Sequence, residues 1–297
     1  MSDSIWKFIP CDGEFTGREY PVVVPCCWEN LPDFSAYRGV GVFTKEFEAE
    51  GTIRMVFKGV SHTAKVCVDG KEVGTHYNAY TPFSVLVEEL KSGLHKLEVY
   101  VDNRFSESSA LHVPNDYMSY GGISRGVVLE YLGKAYVEYI HAIPVLTDKG
   151  WKAKITTKVT SVAKEQNSYT LDISLEGMES KKEHITLKPG EEKEIEVELQ
   201  ATSAQTWEME NPQLYRVSAV LFDENGPVDD LIERIGFRVV AVDGKDILLN
   251  GKKIRIKGFC RHEDHPMYGC ALPFAAIQQD IQIATDLGAN AIRTSHY

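Results

Sequence analysis

Short apolar runs separated by turn residues fill the first part of the chain, up to about residue 140, with no helical periodicity of useful length. Strand-like runs cover residues 41–47, 53–57, 64–68, 94–101 and 126–132. Asp69-Gly70, which follows one of these runs, marks a tight hairpin. Many short strands with turn signals between them are typical of a β-sandwich. The pattern therefore predicts a sandwich domain over residues 1–140.

The alternation of apolar and polar residues becomes more regular between about residues 141 and 240. Tyr169, Leu171, Ile173 and Leu175 alternate with polar residues, and residues 194–199 repeat the same pattern. A period of two gives each strand one packed face and one solvated face, as in a small antiparallel sandwich. The length and the strand spacing predict an immunoglobulin-like β-sandwich over residues 141–240.

The pattern changes again after about residue 240. Asn250-Gly251 closes a hairpin, and residues 253–259 are predicted to form a strand. Apolar residues at 274, 277, 281, 284 and 287 then follow helical spacing, Gly288 suits the end of that helix, and residues 291–293 are predicted to form a second short strand. This is a βαβ unit, which requires a parallel sheet. Because two parallel strands cannot cover their own faces and edges, we expect residues 241–297 to be the truncated start of a larger domain.

Composition and charge exclude several classes of partner. The chain has 297 residues, 43% of them hydrophobic, and a formal net charge of −11. This acidic balance argues against a protein that binds the phosphate backbone of nucleic acids. No apolar run is long enough to span a membrane, and the N-terminus lacks the pattern of a signal peptide. The six cysteines show no zinc-binding spacing, and their even number would allow a disulfide framework. Because a chain of this length does not need disulfides and nothing indicates export, we expect reduced thiols and a cytoplasmic location.

Candidate chemistry is concentrated at the carboxyl ends of the two strands of the βαβ unit. The segment His262-Glu-Asp-His265 follows the first strand. Its spacing is not that of the H-E-x-x-H zinc motif and it lies on a predicted loop, so no metal site is predicted. In a barrel this position lines the mouth where ligands bind, which favours substrate contact over simple solvation or salt bridging. His296, after the second strand, can donate to or accept from sugar hydroxyls, although a polar strand end that pairs within the fold is the alternative.

Taken together, these segments resemble glycoside hydrolase family 2. The longest matching strings are LLNGKKIRIKGFCRHEDH at residues 248–265 and DLGANAIRTSHY at residues 286–297. Shorter ones are GVGVFTKEF at 39–47, YTPF at 80–83, YGGISR at 120–125, WEMENPQLY at 207–215 and IGFR at 235–238. The resemblance implies a mainly β chain: a jelly-roll sugar-binding domain over residues 1–140, an immunoglobulin-like domain over 141–240, and the start of a (β/α)8 TIM barrel over 241–297.

The resemblance also implies an activity and a set of site residues. Enzymes of this family are retaining β-glycosidases, which use two carboxylates about 5 Å apart as acid/base and nucleophile. In the family both are glutamates on later barrel strands, so neither is expected within residues 1–297, and this chain alone is expected to be inactive. By resemblance, Asp116, His262 and His296 contact the sugar, whereas Arg261 and Arg293 support the site.

The choice of sugar remains open between two activities. Residues 261–264, 288–290 and 293–297 resemble β-glucuronidases, which we favour slightly, whereas His265-Pro266 is closer to β-galactosidases. No cofactor is expected, except a sodium or magnesium ion if the protein is galactosidase-like. The expected partners are a carbohydrate substrate and, for the full-length enzyme, further copies of itself, with no nucleic acid or membrane. A non-catalytic carbohydrate-binding or scaffold module is the alternative of a different class; two sandwiches favour it, and the start of a barrel argues against it.

Overall fold

The computed structural model describes residues 1–2, 4–294 and 296–297. The described chain is mainly β and divides into two compact units. One unit comprises Met1–Tyr131 together with Lys257–Tyr297, and the other comprises Leu132–Ile256. None of the helices in the described part of the chain has the length and hydrophobicity needed to cross a bilayer.

A jelly-roll β-sandwich forms most of the first unit. Its strands are β1 (Ser4–Pro10), β2 (Tyr20–Val24), β3 (Cys26–Cys27), β4 (Val40–Phe57), β5 (Thr63–Val68), β6 (Lys71–His76), β7 (Phe83–Asp102), β8 (Gly122–Ile123) and β9 (Val127–Leu132). The main sheet has the order β2-β1-β4-β7-β5-β6, with β9 also paired to β4, while β3 and β8 form a short pair of their own. Two single-turn 3-10 helices, Trp28–Asn30 and Pro32–Phe34, follow β3.

Two long strands organise this sandwich. β4 has 18 residues and β7 has 20, and the register between them shifts on either side of Gly51, where the strand pair bends. The sequence predicted residues 41–47 and 53–57 as separate strands, which is wrong: both belong to β4. Gly51, with φ of +77°, marks the irregularity that interrupts the apolar pattern without ending the strand. The hairpin predicted at Asp69-Gly70 is confirmed between β5 and β6.

Most of the second unit is an immunoglobulin-like sandwich, in which the described residues 135–235 form seven strands in sheets of three and four. Its strands are β10 (Ala135–Thr147), β11 (Gly150–Ser161), β12 (Asn167–Leu175), β13 (Ser180–Leu187), β14 (Glu192–Gln200), β15 (Tyr215–Asp223) and β16 (Gly226–Ile235). The sheet orders are β10-β11-β14 and β13-β12-β15-β16. The predicted alternation is confirmed in β12, where Tyr169, Leu171, Ile173 and Leu175 are all buried. β10 runs across residue 140, so the two compact units divide the chain at different points from the three predicted segments.

A small antiparallel sheet ends the second unit and a βαβ element ends the chain. The small sheet contains β17 (Val240–Asp243), β18 (Asp246–Leu249) and β19 (Lys252–Ile254). The βαβ element contains β20 (Gly258–Cys260), α1 (Phe274–Asp286) and β21 (Ala291–Arg293), and β20 and β21 are parallel, as predicted. Gly288 follows the helix with φ of +83°, which is also as predicted.

The single strand predicted over residues 253–259 is wrong. The chain forms β19, leaves the sheet for three residues, and enters β20 in a different sheet. The backbone begins to pair with the segment before β21 at Lys257. The Lys257 N–H donates to Asn290 Oδ1 at 2.8 Å, and the Lys257 carbonyl accepts from the Asn290 N–H at 2.9 Å. Alternating apolar residues continue through this switch, so the sequence pattern alone does not reveal it.

Gly121 allows the segment before β8 to lie against the aromatic core. A Cβ atom at this position would lie 2.2 Å from Trp28 Cζ2 and 2.8 Å from Asn103 Cβ, and both neighbours are fully buried. We therefore expect Gly121→Ala to lower the free energy of unfolding by about 1–3 kcal/mol, the usual cost of overpacking. Gly133→Ala is the control, because the nearest atom lies 4.0 Å from its added Cβ. Urea unfolding measures both; equal stability of the two variants would contradict the packing argument.

Candidate functional site

The parallel pairing of β20 and β21 brings two loops to one edge of the sheet. Cys260 lies opposite Arg293 in the ladder, and the Arg261 N–H donates to the Arg293 carbonyl at 2.9 Å. The residues that follow each strand therefore leave the sheet side by side. We call these residues, 261–265 and 294, 296 and 297, the mouth loops. In parallel α/β sheets this edge is where ligands bind.

Two predicted substrate-binding histidines meet in the mouth loops. The rings of His262 and His296 have centroids 5.5 Å apart, and both residues are exposed. The hydroxyl of Tyr297 lies 3.4 Å from His262 Nδ1. His296 has a φ of +67°, in the left-handed region that residues with a Cβ rarely adopt. The pair thus offers in-plane ring nitrogens, which can donate or accept hydrogen bonds, in one place.

A segment of the jelly roll, residues 116–125, lies against the mouth loops and is called the jelly-roll segment below. Tyr117 stacks on His296 with ring centroids 4.7 Å apart and planes 7° apart. Its ring also lies 6.1 Å from that of His262 and 5.8 Å from that of Tyr297. The third predicted sugar contact, Asp116, is exposed and immediately precedes Tyr117 in the chain. The first unit therefore places all three predicted substrate-binding residues at or next to one ring cluster.

Polar contacts also tie the jelly-roll segment to the first mouth loop. The Tyr120 hydroxyl donates to Asp264 Oδ1, and Arg125 Nη2 donates to Glu263 Oε2 at 3.2 Å. Burial raises the pKa of the Tyr120 phenol, and the hydrogen bond to Asp264 raises it further. The hydroxyl therefore keeps its proton and serves as the donor. Asp264 and Glu263 thus join the first mouth loop to the jelly-roll segment.

Of the two arginines predicted to support the site, Arg261 begins the first mouth loop and Arg293 is the last residue of β21. Arg261 donates through Nε and Nη2 to Asp280 Oδ2 of α1 at 3.0 and 2.7 Å, and its Nη1 lies 3.7 Å from Glu263 Oε1. These contacts link the first mouth loop to the helix. Arg293 Nη1 lies 3.8 Å from the Cys260 sulfur, on the paired strand.

A buried carboxylate, that of Glu29, is hydrogen-bonded to the backbone of the jelly-roll segment. Glu29, whose side chain is 3% exposed, accepts hydrogen bonds from the Gly121 N–H at 2.9 Å and from Asn103 Nδ2 at 3.0 Å. Arg38 lies 3.7 Å from the same carboxylate and donates to the Ser119 carbonyl at 2.7 Å. Burial raises the pKa of Glu29 to about 7, although these hydrogen bonds and the Arg38 charge act in the opposite direction. Glu29 also lines an open groove of about 480 Å³ that reaches Tyr120, Asp264 and His265.

Sequence reasoning missed the aromatic and polar partners of the predicted residues. Tyr117, Tyr120 and Glu29 contact the predicted residues or the segment beside them, and no periodicity in the sequence distinguishes these three from other polar and aromatic residues. One signal was present: Tyr120 and Arg125 begin and end the YGGISR string, which was used only as a mark of resemblance. No cluster of three or more His, Cys, Asp or Glu side chains suited to a metal ion occurs within residues 1–2, 4–294 and 296–297.

Comparison with protein families matches nearly the whole chain to three models of one family. Residues 12–132 match the sugar binding domain of Glycosyl hydrolases family 2, residues 135–238 match a second model of the same family, and residues 240–297 match its TIM barrel domain. The three models follow one another in the order that the resemblance implied.

Individual relatives agree on the family and differ in substrate. The chain is 31% identical over 279 residues to a β-galactosidase of Thermoanaerobacter pseudethanolicus, covering 88% of this chain and 37% of the relative. It is 30% identical to a β-glucuronidase of Streptococcus agalactiae, covering 81% of this chain and 42% of the relative. A solved β-galacturonidase of Eisenbergiella tayi, bound to galacturonate, is 50% identical with a TM-score of 0.97, covering 100% of this chain and 53% of that one. The chain thus spans about half the length of these proteins or less.

The raised pKa of Glu29 predicts a pH dependence that a neutral side chain would lack. A carboxyl group whose pKa rises from its ordinary 4.5 to about 7 on folding stabilises the fold at low pH, and this contribution is lost as pH rises through about 7. Relative to Glu29→Gln, we expect the wild type to lose on the order of 3 kcal/mol of stability between about pH 4.5 and 7.

Urea unfolding of the wild type and of Glu29→Gln across this pH range measures the free energy of unfolding of each protein. Glu50→Gln, at an exposed glutamate of β4, is the matched control and should leave the wild-type pH profile unchanged. Parallel pH profiles of the wild type and Glu29→Gln would show that Glu29 titrates normally and would contradict the prediction.

Proposed function

Since this chain belongs to glycoside hydrolase family 2, we propose that it is part of a retaining β-glycosidase that acts on terminal β-galacturonides. The chain supplies the jelly-roll domain, the immunoglobulin-like domain and the start of the barrel of that enzyme. The observation that carries the choice of sugar is the 50% identity over the whole chain to a β-galacturonidase bound to galacturonate. Galacturonic and glucuronic acids differ only in configuration at C4, so the proposal keeps the uronide preference expected from the mouth-loop residues and changes the epimer.

The residues of this chain bind and orient the sugar in the proposed reaction. His262 and His296 present ring nitrogens at the mouth, and Asp116 adds a carboxylate that accepts hydrogen bonds from sugar hydroxyls. Such groups hold the sugar ring so that its anomeric carbon faces the catalytic acids, which converts binding energy into orientation. Arg261, paired with Asp280, keeps the first mouth loop in place.

We place the two catalytic glutamates in the remainder of the barrel. The relatives are roughly twice as long as this chain or longer, and a retaining mechanism needs two carboxylates about 5 Å apart. No metal ion or organic cofactor enters the proposal, because those two groups supply the acid, the base and the nucleophile. A sodium or magnesium ion belongs to the alternative of a β-galactosidase, which the 31% identity to the Thermoanaerobacter enzyme favours.

A non-catalytic carbohydrate-binding module is a weaker alternative. The contacts between the jelly-roll segment and the mouth loops argue against it, because a sandwich that binds sugar by itself has no need of β20, α1 and β21. Tyr120 with Asp264 and Arg125 with Glu263 instead join the sandwich to those elements.

Kinetics on the whole protein test the proposed activity. We expect nitrophenyl β-galacturonide to give a higher kcat/KM than the β-glucuronide and the β-galactoside. His262→Ala should lower kcat/KM by about 10- to 100-fold, the usual effect of losing a hydrogen bond to a bound polar group in the transition state. His141→Ala, at an exposed histidine of β10, is the matched control and should change it little.

Each of the other outcomes contradicts a different part of the proposal. A preference for the galactoside or the glucuronide would overturn the choice of sugar and keep the reaction. Absence of turnover with all three substrates would overturn the proposed glycosidase activity. Turnover by residues 1–297 alone would overturn the assignment of the catalytic glutamates to the rest of the barrel.

A further inference from the structure

We propose that Tyr117 is a positioning residue that fixes the ring plane of His296 at the sugar-binding mouth. The inference deepens the proposed function and rests on it for the identity of the ligand, a sugar with free hydroxyls. Tyr117 belongs to the jelly roll and His296 to the barrel start, so the sandwich would contribute to substrate binding through a side chain that does not itself touch the sugar.

The geometry of the stack carries the proposal. The two rings are nearly parallel, 7° apart, with centroids at 4.7 Å, within the 4.5–7 Å range of favourable aromatic pairs. Tyr117 also lies within 6.1 Å of His262, although that pair is tilted by 47°. One tyrosine ring therefore contacts a histidine from each mouth loop, and it is closest and best aligned with His296.

A stack is suited to holding a histidine that must also bind a ligand. The contact uses the face of the imidazole, whereas its nitrogens form hydrogen bonds in the ring plane. The face can therefore be occupied by Tyr117 while an in-plane nitrogen points to a sugar hydroxyl. Without the stack the His296 ring would rotate about its side-chain bonds. Sugar binding would then have to offset the conformational entropy lost when the ring is fixed.

The backbone of His296 adds a second, independent observation. A φ of +67° is unfavourable for a residue with a Cβ, and such conformations persist where surrounding contacts hold them. The Tyr117 ring supplies a contact of this kind from a different part of the chain. Residues held in this way are concentrated at ligand-binding sites, which agrees with the position of His296 in the mouth.

Tyr117 is itself on a well-supported segment. Two residues further on, the Ser119 carbonyl accepts a hydrogen bond from Arg38 at 2.7 Å, and Tyr120 is bonded to Asp264. The Gly121 N–H is bonded to the buried Glu29. These contacts fix the backbone next to Tyr117, so the Tyr117 ring can in turn orient the His296 ring.

The test compares Tyr117→Leu, which removes the aromatic face, with Tyr117→Phe, which keeps it, in the whole protein. Tyr77→Leu, at a tyrosine that is 63% exposed, is the matched control. With nitrophenyl β-galacturonide we expect Tyr117→Leu to raise KM by about two- to tenfold, the loss corresponding to one aromatic pair, with kcat changed by less than about twofold. Tyr117→Phe should restore the wild-type KM.

A spectroscopic readout makes the test independent of turnover. In protein labelled with ¹³C-histidine, the ring protons of His296, assigned with a His296→Gln variant, should show the upfield shift caused by a stacked ring. We expect Tyr117→Leu to abolish that shift and Tyr117→Phe to retain it. If the wild type turns over none of the glycosides, the proposed function fails, and this spectrum alone decides the inference.

Two results would overturn the inference. One is an unchanged His296 signal and an unchanged KM in Tyr117→Leu. The other is a fall in kcat at constant KM that Tyr117→Phe does not restore, which would mean that the variant only reduces the amount of folded enzyme and that Tyr117 has a purely structural role.

Discussion

The buried carboxylate of Glu29 is the contact on which the candidate site depends. It accepts hydrogen bonds from the Gly121 backbone and from the Asn103 amide, and with Arg38 it fixes the jelly-roll segment on the aromatic core around Trp28. Burying a charge is costly, and these three partners offset that cost only in part, because burial still raises the pKa of Glu29 to about 7. These contacts attach both ends of the loop between β7 and β8 to the sandwich.

That anchored segment gives the sandwich a direct part in the site. Tyr117 and Tyr120 extend from it to the mouth loops, one through a ring stack and the other through a hydrogen bond to Asp264. The mouth loops follow strands of only three residues each, which offer little rigidity of their own. Rigid scaffolds that position ligand-binding loops are a general feature of binding sites, and in this protein the scaffold includes a domain distant in sequence.

The sequence predicted the architecture well because its signals were local. Alternation identified the strands of the second sandwich, Asp69-Gly70 and Asn250-Gly251 identified hairpins, and Gly288 identified the helix end. It failed where the deciding contact was remote. The bend of β4 near Gly51 and the change of sheet at Lys257 depend on partners elsewhere in the chain. The spacing of apolar residues along the sequence does not identify those partners. The same limit applies to the site: His262 and His296 lie in recognisable strings, whereas the pairing of Tyr117 with His296 joins positions almost 180 residues apart.

A crystal structure of the whole protein with galacturonate bound tests the central claim most directly. The account predicts that the sugar lies at the mouth loops, with hydroxyls within hydrogen-bonding distance of His262, His296 and Asp116, and with the Tyr117 ring stacked on His296 and not on the sugar. A sugar bound at another surface, or bound at the mouth with these three residues turned away from it, would contradict the account.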